Sequence, residues 1–369
     1  MWLAKIVFFV SVLYECNGYI KQCSDCKLYR ACPEAIQFAA ITNDDETKST
    51  KLKSSICGVE IVNGSRMPKV CCSDYTLTDD RSGVPESMTL KDSIEEHANL
   101  PLLPEECGKI YGERIIGGTV ASLYEFPWMA LIAHKTRLRS VNNDLYFKCG
   151  GTIINSRYIL TAAHCVVKKK LYKVRIGELD LSSKEDCQGE YPNYICEAHL
   201  QDIEIEESIP HKEYQRMPSK NDIALLRLKE PIDFGHKNVA PICLPVLSKL
   251  RNVTLVGKVG TIAGWGTTED GTKSFPLRKV DIPILPTSAC YEQNPETTPN
   301  QFCAGELGKD SCNGDSGGPL MVENQVNGKF KMIQYGIVSY GPKICGSAAP
   351  GVYTNLVSYM DWILSNMRP

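Results

Sequence analysis

Cysteine constrains this chain more than any other residue type: 17 stand among its 369 residues. One, Cys16, lies near the amino terminus. Six (Cys23, Cys26, Cys32, Cys57, Cys71, Cys72) crowd residues 19–72, and ten are spread from Cys107 to Cys345. Residues 1–18 carry Lys5, the apolar run Ile6 to Leu13 and the end Cys16-Asn17-Gly18. That order of charge, apolar core and small residue marks a secretory signal peptide. Cleavage after Gly18 would remove Cys16 and leave an even number of cysteines, which can pair completely in an oxidising compartment. The expectation is a secreted, extracellular chain. No later stretch reaches the roughly 20 apolar residues that a spanning helix needs, so no membrane partner is expected. With 41 Lys and Arg against 43 Asp and Glu, no basic block points to nucleic acid either.

Composition divides the remainder into three zones. Residues 19–72 hold few large apolar side chains and need covalent staples to fold. Residues 73–114 are polar and acidic and read as an extended linker and activation segment, with a short helix near Leu90 to His97. From 115 to 369, short runs such as Tyr172-Lys173-Val174-Arg175-Ile176 alternate with Gly, Pro, Asn and Asp. Many short strands with turn signals between them predict an all-β sandwich or barrel. The apolar spacing of Val357 to Met367 predicts one terminal amphipathic helix. Asn63-Gly64-Ser65 and Asn252-Val253-Thr254 are glycosylation sequons.

Three motifs carry chemistry: Thr161-Ala162-Ala163-His164-Cys165, Asn221-Asp222-Ile223-Ala224-Leu225-Leu226, and Asp310-Ser311-Cys312-Asn313-Gly314-Asp315-Ser316-Gly317-Gly318-Pro319. A serine hydroxyl attacks a peptide carbonyl only if a base removes its proton. Histidine does this near neutral pH when a buried carboxylate holds its tautomer. Glycines around the serine let backbone N–H groups reach the developing oxyanion. These motifs stand with Ile115-Ile116-Gly117-Gly118, Pro127-Trp128, Cys149-Gly150-Gly151, Gly264-Trp265-Gly266 and Pro350-Gly351-Val352-Tyr353-Thr354. With them, residues 115–369 resemble the trypsin-like serine proteases of chymotrypsin fold, in that family's order of His, Asp and Ser.

The resemblance implies a double β-barrel with a carboxy-terminal helix. It implies that His164 is the general base, Asp222 its orienter and Ser316 the nucleophile, with an oxyanion hole from the N–H groups of Gly314 and Ser316. Asp310 would lie at the base of the specificity pocket, with Ser339, Gly341 and Gly351 along the substrate. A carboxylate there selects Lys or Arg, although Tyr340 stands where the family usually has tryptophan. Cleavage after Arg114 would free the α-amine of Ile115 to pair with Asp315 and order the site. The family also implies Cys149–Cys165, Cys290–Cys303 and Cys312–Cys345, a tether Cys107–Cys243, and an extra loop closed by Cys187–Cys196. Glu178 and Asp186 by side chain, with Asp180 and Ser183 by carbonyl, match its loop for structural calcium; the chemistry itself needs no cofactor.

The six amino-terminal cysteines resemble the clip domain of arthropod proteases, which implies Cys23–Cys71, Cys26–Cys57 and Cys32–Cys72; sequence alone leaves their connectivity open. The gap from Cys23 to Cys26 is short for a clip domain. The layout is similar to the Easter and Grass type and to prophenoloxidase-activating enzymes. It implies a haemolymph zymogen of a Toll, melanization or developmental cascade. Its partners would be a trypsin-like activator, a downstream zymogen or cytokine-like precursor as substrate, and a serpin inhibitor. A chain of this layout could instead be a non-catalytic clip-domain cofactor that binds cascade proteases; intact His164, Asp222 and Ser316 argue against it.

Overall fold

Three short strands cannot enclose a core, and in the amino-terminal unit disulfides take that role. The computed structural model describes residues 22–32, 35, 50–52, 54–62, 65–75, 94–110, 119–135, 146–267, 272–293, 295–306, 314–342 and 349–369. The chain divides into units Met1–Glu86 and Ser87–Pro369. In the first, β1 (Cys26–Leu28), β2 (Ile56–Val62) and β3 (Ser65–Cys71) form an antiparallel sheet in the order β1-β3-β2, with Cys26 opposite Cys71. Cys23–Cys71, Cys26–Cys57 and Cys32–Cys72 are bonded and close loops of 31 to 48 residues. Each such closure contributes about 3–4 kcal/mol by restricting the unfolded chain. Tyr29, Leu52, Val70 and Tyr75 pack with Cys32 and Cys72. Burial, and then Tyr75, push the Tyr29 phenol up to about 12.

The second unit begins its strands with β4 (Thr119–Val120), then β5 (Met129–His134), β6 (Tyr146–Ile153), β7 (Tyr158–Thr161) and β8 (Leu171–Ile176). A hairpin of β9 (Asp186–Gln188) and β10 (Ile195–Glu197) follows, crossed by Cys187–Cys196. Next come β11 (Gln201–Pro210), a small hairpin of β12 (Gln215–Arg216) and β13 (Ser219–Lys220), and β14 (Ala224–Leu228). Six of these strands close a barrel in the order β11-β14-β7-β6-β5-β8. β5, β7 and β14 are buried at every residue, whereas β11 alternates in its first half, as a strand with one wet face should.

A second ring comprises β15 (Val259–Gly264), β16 (Arg278–Leu285), β17 (Gln301–Ala304), β18 (Pro319–Val326), β19 (Lys329–Tyr340) and β20 (Gly351–Asn355). It runs β15-β18-β19-β20-β17-β16 and closes through β15–β16, with β4 added beside β16. Short helices α1 (Ser248–Arg251) and α2 (Thr287–Gln293) lie on its connections. Ile262, Ile282, Leu320, Ile333, Tyr335 and Tyr353 fill its interior. Cys107–Cys243, Cys149–Cys165 and Cys290–Cys303 are bonded; Cys312 and Cys345 lie outside the described residues.

Two segments differ in detail from the sequence expectation. The predicted terminal helix is a 3-10 turn, Leu356–Tyr359, followed by α3 (Met360–Ser365). The Asn355 side chain accepts from Val357 N and starts the turn, while Met360, Ile363 and Leu364 face the core. The segment read as extended linker is, over residues 94–110, laid onto the barrel unit. Ile94 is 4% exposed, Asn99 Nδ2 donates to the carbonyls of Leu364 (3.0 Å) and Met367 (2.9 Å), and Gly108 exchanges backbone bonds with Pro241 and Met332. Of its apolar residues, Ile94, Leu100, Leu102 and Leu103 dock, whereas Ile110 at its end is exposed. Where a helix was expected before His97, residues 94–96 form a turn; residues 90–93 lie outside the described residues. Among the described residues no helix is long and apolar enough to cross a membrane.

Candidate active site

Strand ends from both barrels converge on the three motifs. β7 ends at Thr161, and a 3-10 turn over Ala163–Cys165 turns His164 inward while Cys149–Cys165 anchors it to β6. Asp222 stands just before β14, after Asn221, whose φ of 51° lets the chain turn sharply. Tyr359 Oη donates to Asn221 Oδ1 at 2.8 Å and pins that turn to the carboxy-terminal segment.

Asp222 is 1% exposed. A carboxylate so buried is tolerated only when hydrogen-bonded and paired. Its Oδ1 accepts from His164 N (2.9 Å), and its Oδ2 from His164 Nδ1 (2.8 Å) and Ser339 Oγ (2.5 Å). Thr354 Oγ1 donates to its main-chain carbonyl at 2.9 Å. An ionised carboxylate is acceptor only, so Nδ1 carries the hydrogen and Nε2 of the neutral ring holds the free lone pair.

Ser316 sits in a loop fixed by backbone bonds: Gly150 N to Ser316 O, Gly317 N to Val338 O and Gly318 N to Asp315 O, each 2.9 Å. Gly317 has φ +81°, and a Cβ there would lie 2.6 Å from Gly150 O, so neither backbone nor space admits a side chain. Cys165 Sγ lies 3.6 Å from His164 Nε2 and 3.6 Å from Ser316 O. One disulfide sulfur thus separates the free nitrogen from the main chain of the serine. The Asp315 carboxylate packs on Gly264 and Gly266 and accepts from Gly266 N at 2.9 Å.

Of the remaining predicted residues, Asp310, Arg114, Ile115 and Asn63 lie outside the described residues. Ser339 is buried, and its hydroxyl donates to Asp222. Gly351 is buried at the start of β20, and Gly341 is exposed. Asn252, exposed, is accessible as a sequon requires.

In the loop 177–186, Asp186 receives Leu179 N (2.9 Å), Asp180 N (3.0 Å) and Ser183 Oγ (3.0 Å). Glu178 and Asp186 are 8% and 6% exposed. Burial, and then the Asp186 charge, push the Glu178 carboxyl up, against the pull of Arg175. That guanidinium also binds Asp202 through two bonds of 2.8 and 2.9 Å. Arg175 is thus shared by Glu178 and Asp202 while Asp186 crowds Glu178 from the other side, and carboxylate oxygens of this kind fit a divalent ion. Asp180 Oδ1 instead receives Ser182 N and Oγ, and the Asp180 carbonyl accepts from Ser183 N and Oγ.

A family model described as Trypsin matches residues 115–363. The chain belongs to the trypsin family, in its clip-domain branch. Melanization protease 1 of Drosophila melanogaster is 36% identical over 91% of this chain and 88% of its own length. CLIP domain-containing serine protease B4 of Anopheles gambiae is 35% identical over 96% and 92%. The crystal structure of the Drosophila Grass clip serine protease of the Toll pathway superposes with a TM-score of 0.63 at 30% identity, covering 95% of this chain and 98% of that one. The motif reading of this clip-domain protease missed Thr354, Asn221 and Tyr359 as supports of Asp222. Thr354 and Asn221 lay inside the quoted motifs, but nothing in the order of residues shows which side chains meet Asp222.

Proposed function

We propose that the chain is a secreted zymogen that, once cut after Arg114, cleaves protein substrates after Arg or Lys. The observation that carries this reading is the Asp222–His164 pair beside Ser316. Ser316 Oγ attacks the scissile carbonyl and passes its proton to His164 Nε2. The N–H groups of Gly314 and Ser316 hold the oxyanion, and His164 returns the proton to the leaving amine. Asp310 supplies the charge that selects a basic side chain, between Gly341 and Gly351. The Ile115 amine, freed by cleavage, joins the Asp315 carboxylate already seated on Gly264 and Gly266. Glu178 and Asp186 hold a structural calcium with the Asp180 and Ser183 carbonyls. The relatives named Spaetzle-processing enzyme and Phenoloxidase-activating factor 3 support a place in an extracellular haemolymph cascade. Its substrate there is a cytokine-like precursor or a further zymogen, its activator a trypsin-like protease and its regulator a serpin.

Full-length protein cut with a trypsin-like activator is expected to hydrolyse an arginyl amide, and Arg114→Gln to stay silent. Ser316→Ala should lower kcat about a million-fold, as loss of a triad member does. Asp310→Ser should remove basic preference while hydrolysis of other bonds persists. Correctly cut, folded protein without amidase activity would falsify the enzymatic reading in favour of the cofactor one.

A further inference from the structure

Two imidazoles and a carboxylate meet at one edge of the first barrel, and the proposed reaction uses none of them. His199 lies just before β11, and Asp233 and His236 follow β14. The fold brings the two histidine rings face to face, centroids 3.5 Å apart and planes within 8°. One ring nitrogen from each and a carboxylate oxygen of Asp233 lie within 4.8 Å of one another. His199 Nε2 is shielded from solvent and has no hydrogen-bond partner among the described residues. A buried ring nitrogen without a partner calls for one, and a metal ion supplies it.

The framework around the cluster is held by hydrogen bonds, with Asn238 Oδ1 alone among its side-chain oxygens buried and without a partner among the described residues. Gln201 Nε2 donates to Asp233 O, and Asp233 N donates to Gln201 Oε1, both at 2.9 Å. Gly235 N donates to Asp233 Oδ1 at 2.8 Å. Asn238 Nδ2 bridges His199 O (2.7 Å) and Gly177 O (3.0 Å). His199 N donates to Glu197 Oε1 at 3.0 Å, which fixes the backbone just before β11. Backbones held this way leave the donor side chains as the movable parts. Asp233 is exposed and both histidines are half-buried, so an ion can enter.

We infer that His199, His236 and Asp233 bind one divalent transition-metal ion, zinc being the probe. Two imidazoles with one carboxylate suit zinc, copper or nickel, and disfavour calcium and magnesium, which take oxygen ligands. Ligands of tetrahedral zinc at about 2.0–2.1 Å stand about 3.4 Å apart. Closing the cluster from its present span therefore requires the stacked rings to splay, with water as fourth ligand. The ion would join the start of β11 to the loop after β14, and through Asn238 it would brace Gly177.

The test is titration of the full-length, uncut protein with zinc, followed by calorimetry and thermal melting, with His236→Asn and Asp233→Asn alongside. The wild type is expected to bind one zinc with a Kd of about 10 µM that His236→Asn loses. Asp233→Asn should weaken binding at least about 10-fold. At zinc a hundredfold above Kd, Tm should rise by about 5 °C in the wild type and stay unchanged in His236→Asn. Any zinc taken up by His164 would persist in both variants and so be recognised. Failure of the wild type to bind zinc below about 100 µM, or wild-type affinity in His236→Asn, overturns the site. Should His236→Asn not fold, undiminished affinity in Asp233→Asn overturns it equally.

Discussion

Gly266→Ala tests whether Asp315 governs the geometry of Ser316. A Cβ on residue 266 would lie 2.5 Å from Asp315 Oδ1 and 2.6 Å from Oδ2, approaches below 3.0 Å that real Cβ atoms do not make. Ordinary contact begins near 3.5 Å, so the carboxylate must retreat by about 1 Å. It would also lose its bond from Gly266 N. Asp315 is joined to Ser316, and its carbonyl accepts from Gly318 N, so the retreat passes into the N–H groups of Gly314 and Ser316. Misplacement of about 1 Å costs about 100-fold in rate, within the range for loss of an oxyanion donor. The expected result, with Arg114-cut protein on an arginyl amide and active sites titrated, is a kcat lower by about two orders of magnitude. Gly328→Ala is the control: its φ of +77° makes alanine strained, but nothing stands within 4 Å of the added atom. It should cost about 1 kcal/mol of stability and no kcat. Wild-type kcat in a natively melting Gly266→Ala protein would show that the position of Asp315 does not set that of Ser316.

Ser339→Ala removes a hydrogen bond to a buried carboxylate, worth about 1.5–3 kcal/mol; His164 still holds Asp222, so kcat should fall about 10-fold with KM little changed, and unaltered initial rates would refute this role. His134 is 8% exposed, and burial, then Lys148 and Lys169, lower its pKa from 6.5 to about 4. The folded protein therefore stays neutral there while the unfolded chain takes a proton: this contribution to stability is complete above pH 6.5 and is lost as the pH falls to about 4. The loss should be about 2–3 kcal/mol in urea unfolding at pH 7 and 4.5, and His134→Leu should lack it; equal pH slopes in both proteins would count against this assignment. Cutting after Arg114 should leave the amino-terminal chain attached through Cys107–Cys243. A non-reducing gel should show one band for the wild type and two for the Cys107→Ser, Cys243→Ser double variant.

The residues legible in the sequence are those whose chemistry demands a particular local string. Gly314 and Gly317 must be bare because the first passes against Gly266 and the second against Gly150 and Thr161, and His164 must follow a strand that ends at the seam between barrels. Such requirements leave marks within a few positions of one another. Thr354, Ser339 and Tyr359 reach the Asp222 turn from 117 to 138 residues away, and a threonine or tyrosine carries no mark of its distant partner. The same holds for His199 and His236, each of which reads alone as an ordinary structural histidine. The docked segment 94–110 was obscured differently. Its average composition is polar, and the four apolar side chains that seat it disappear in that average.

Leu179, within the acidic loop, links that loop to the neighbourhood of the nucleophile without touching Ser316. Its N–H donates to Asp186, and its carbonyl accepts from both Trp265 Nε1 (3.1 Å) and Leu277 N (2.7 Å). Trp265 is 2% exposed and stands between Gly264 and Gly266, the two residues whose missing side chains admit Asp315. A close-packed interior cannot let that indole drift without opening a void or forcing a neighbour aside. The order of residues 177–186 therefore bears on Gly266, and Gly266 bears on Asp315. If calcium holds Glu178 and Asp186 together, chelation should lower kcat as well as Tm, because the loop and the oxyanion hole share this indole. A fall in Tm with unchanged kcat, measured on the cut protein with and without chelator, would mean that Trp265 stays in place without the loop.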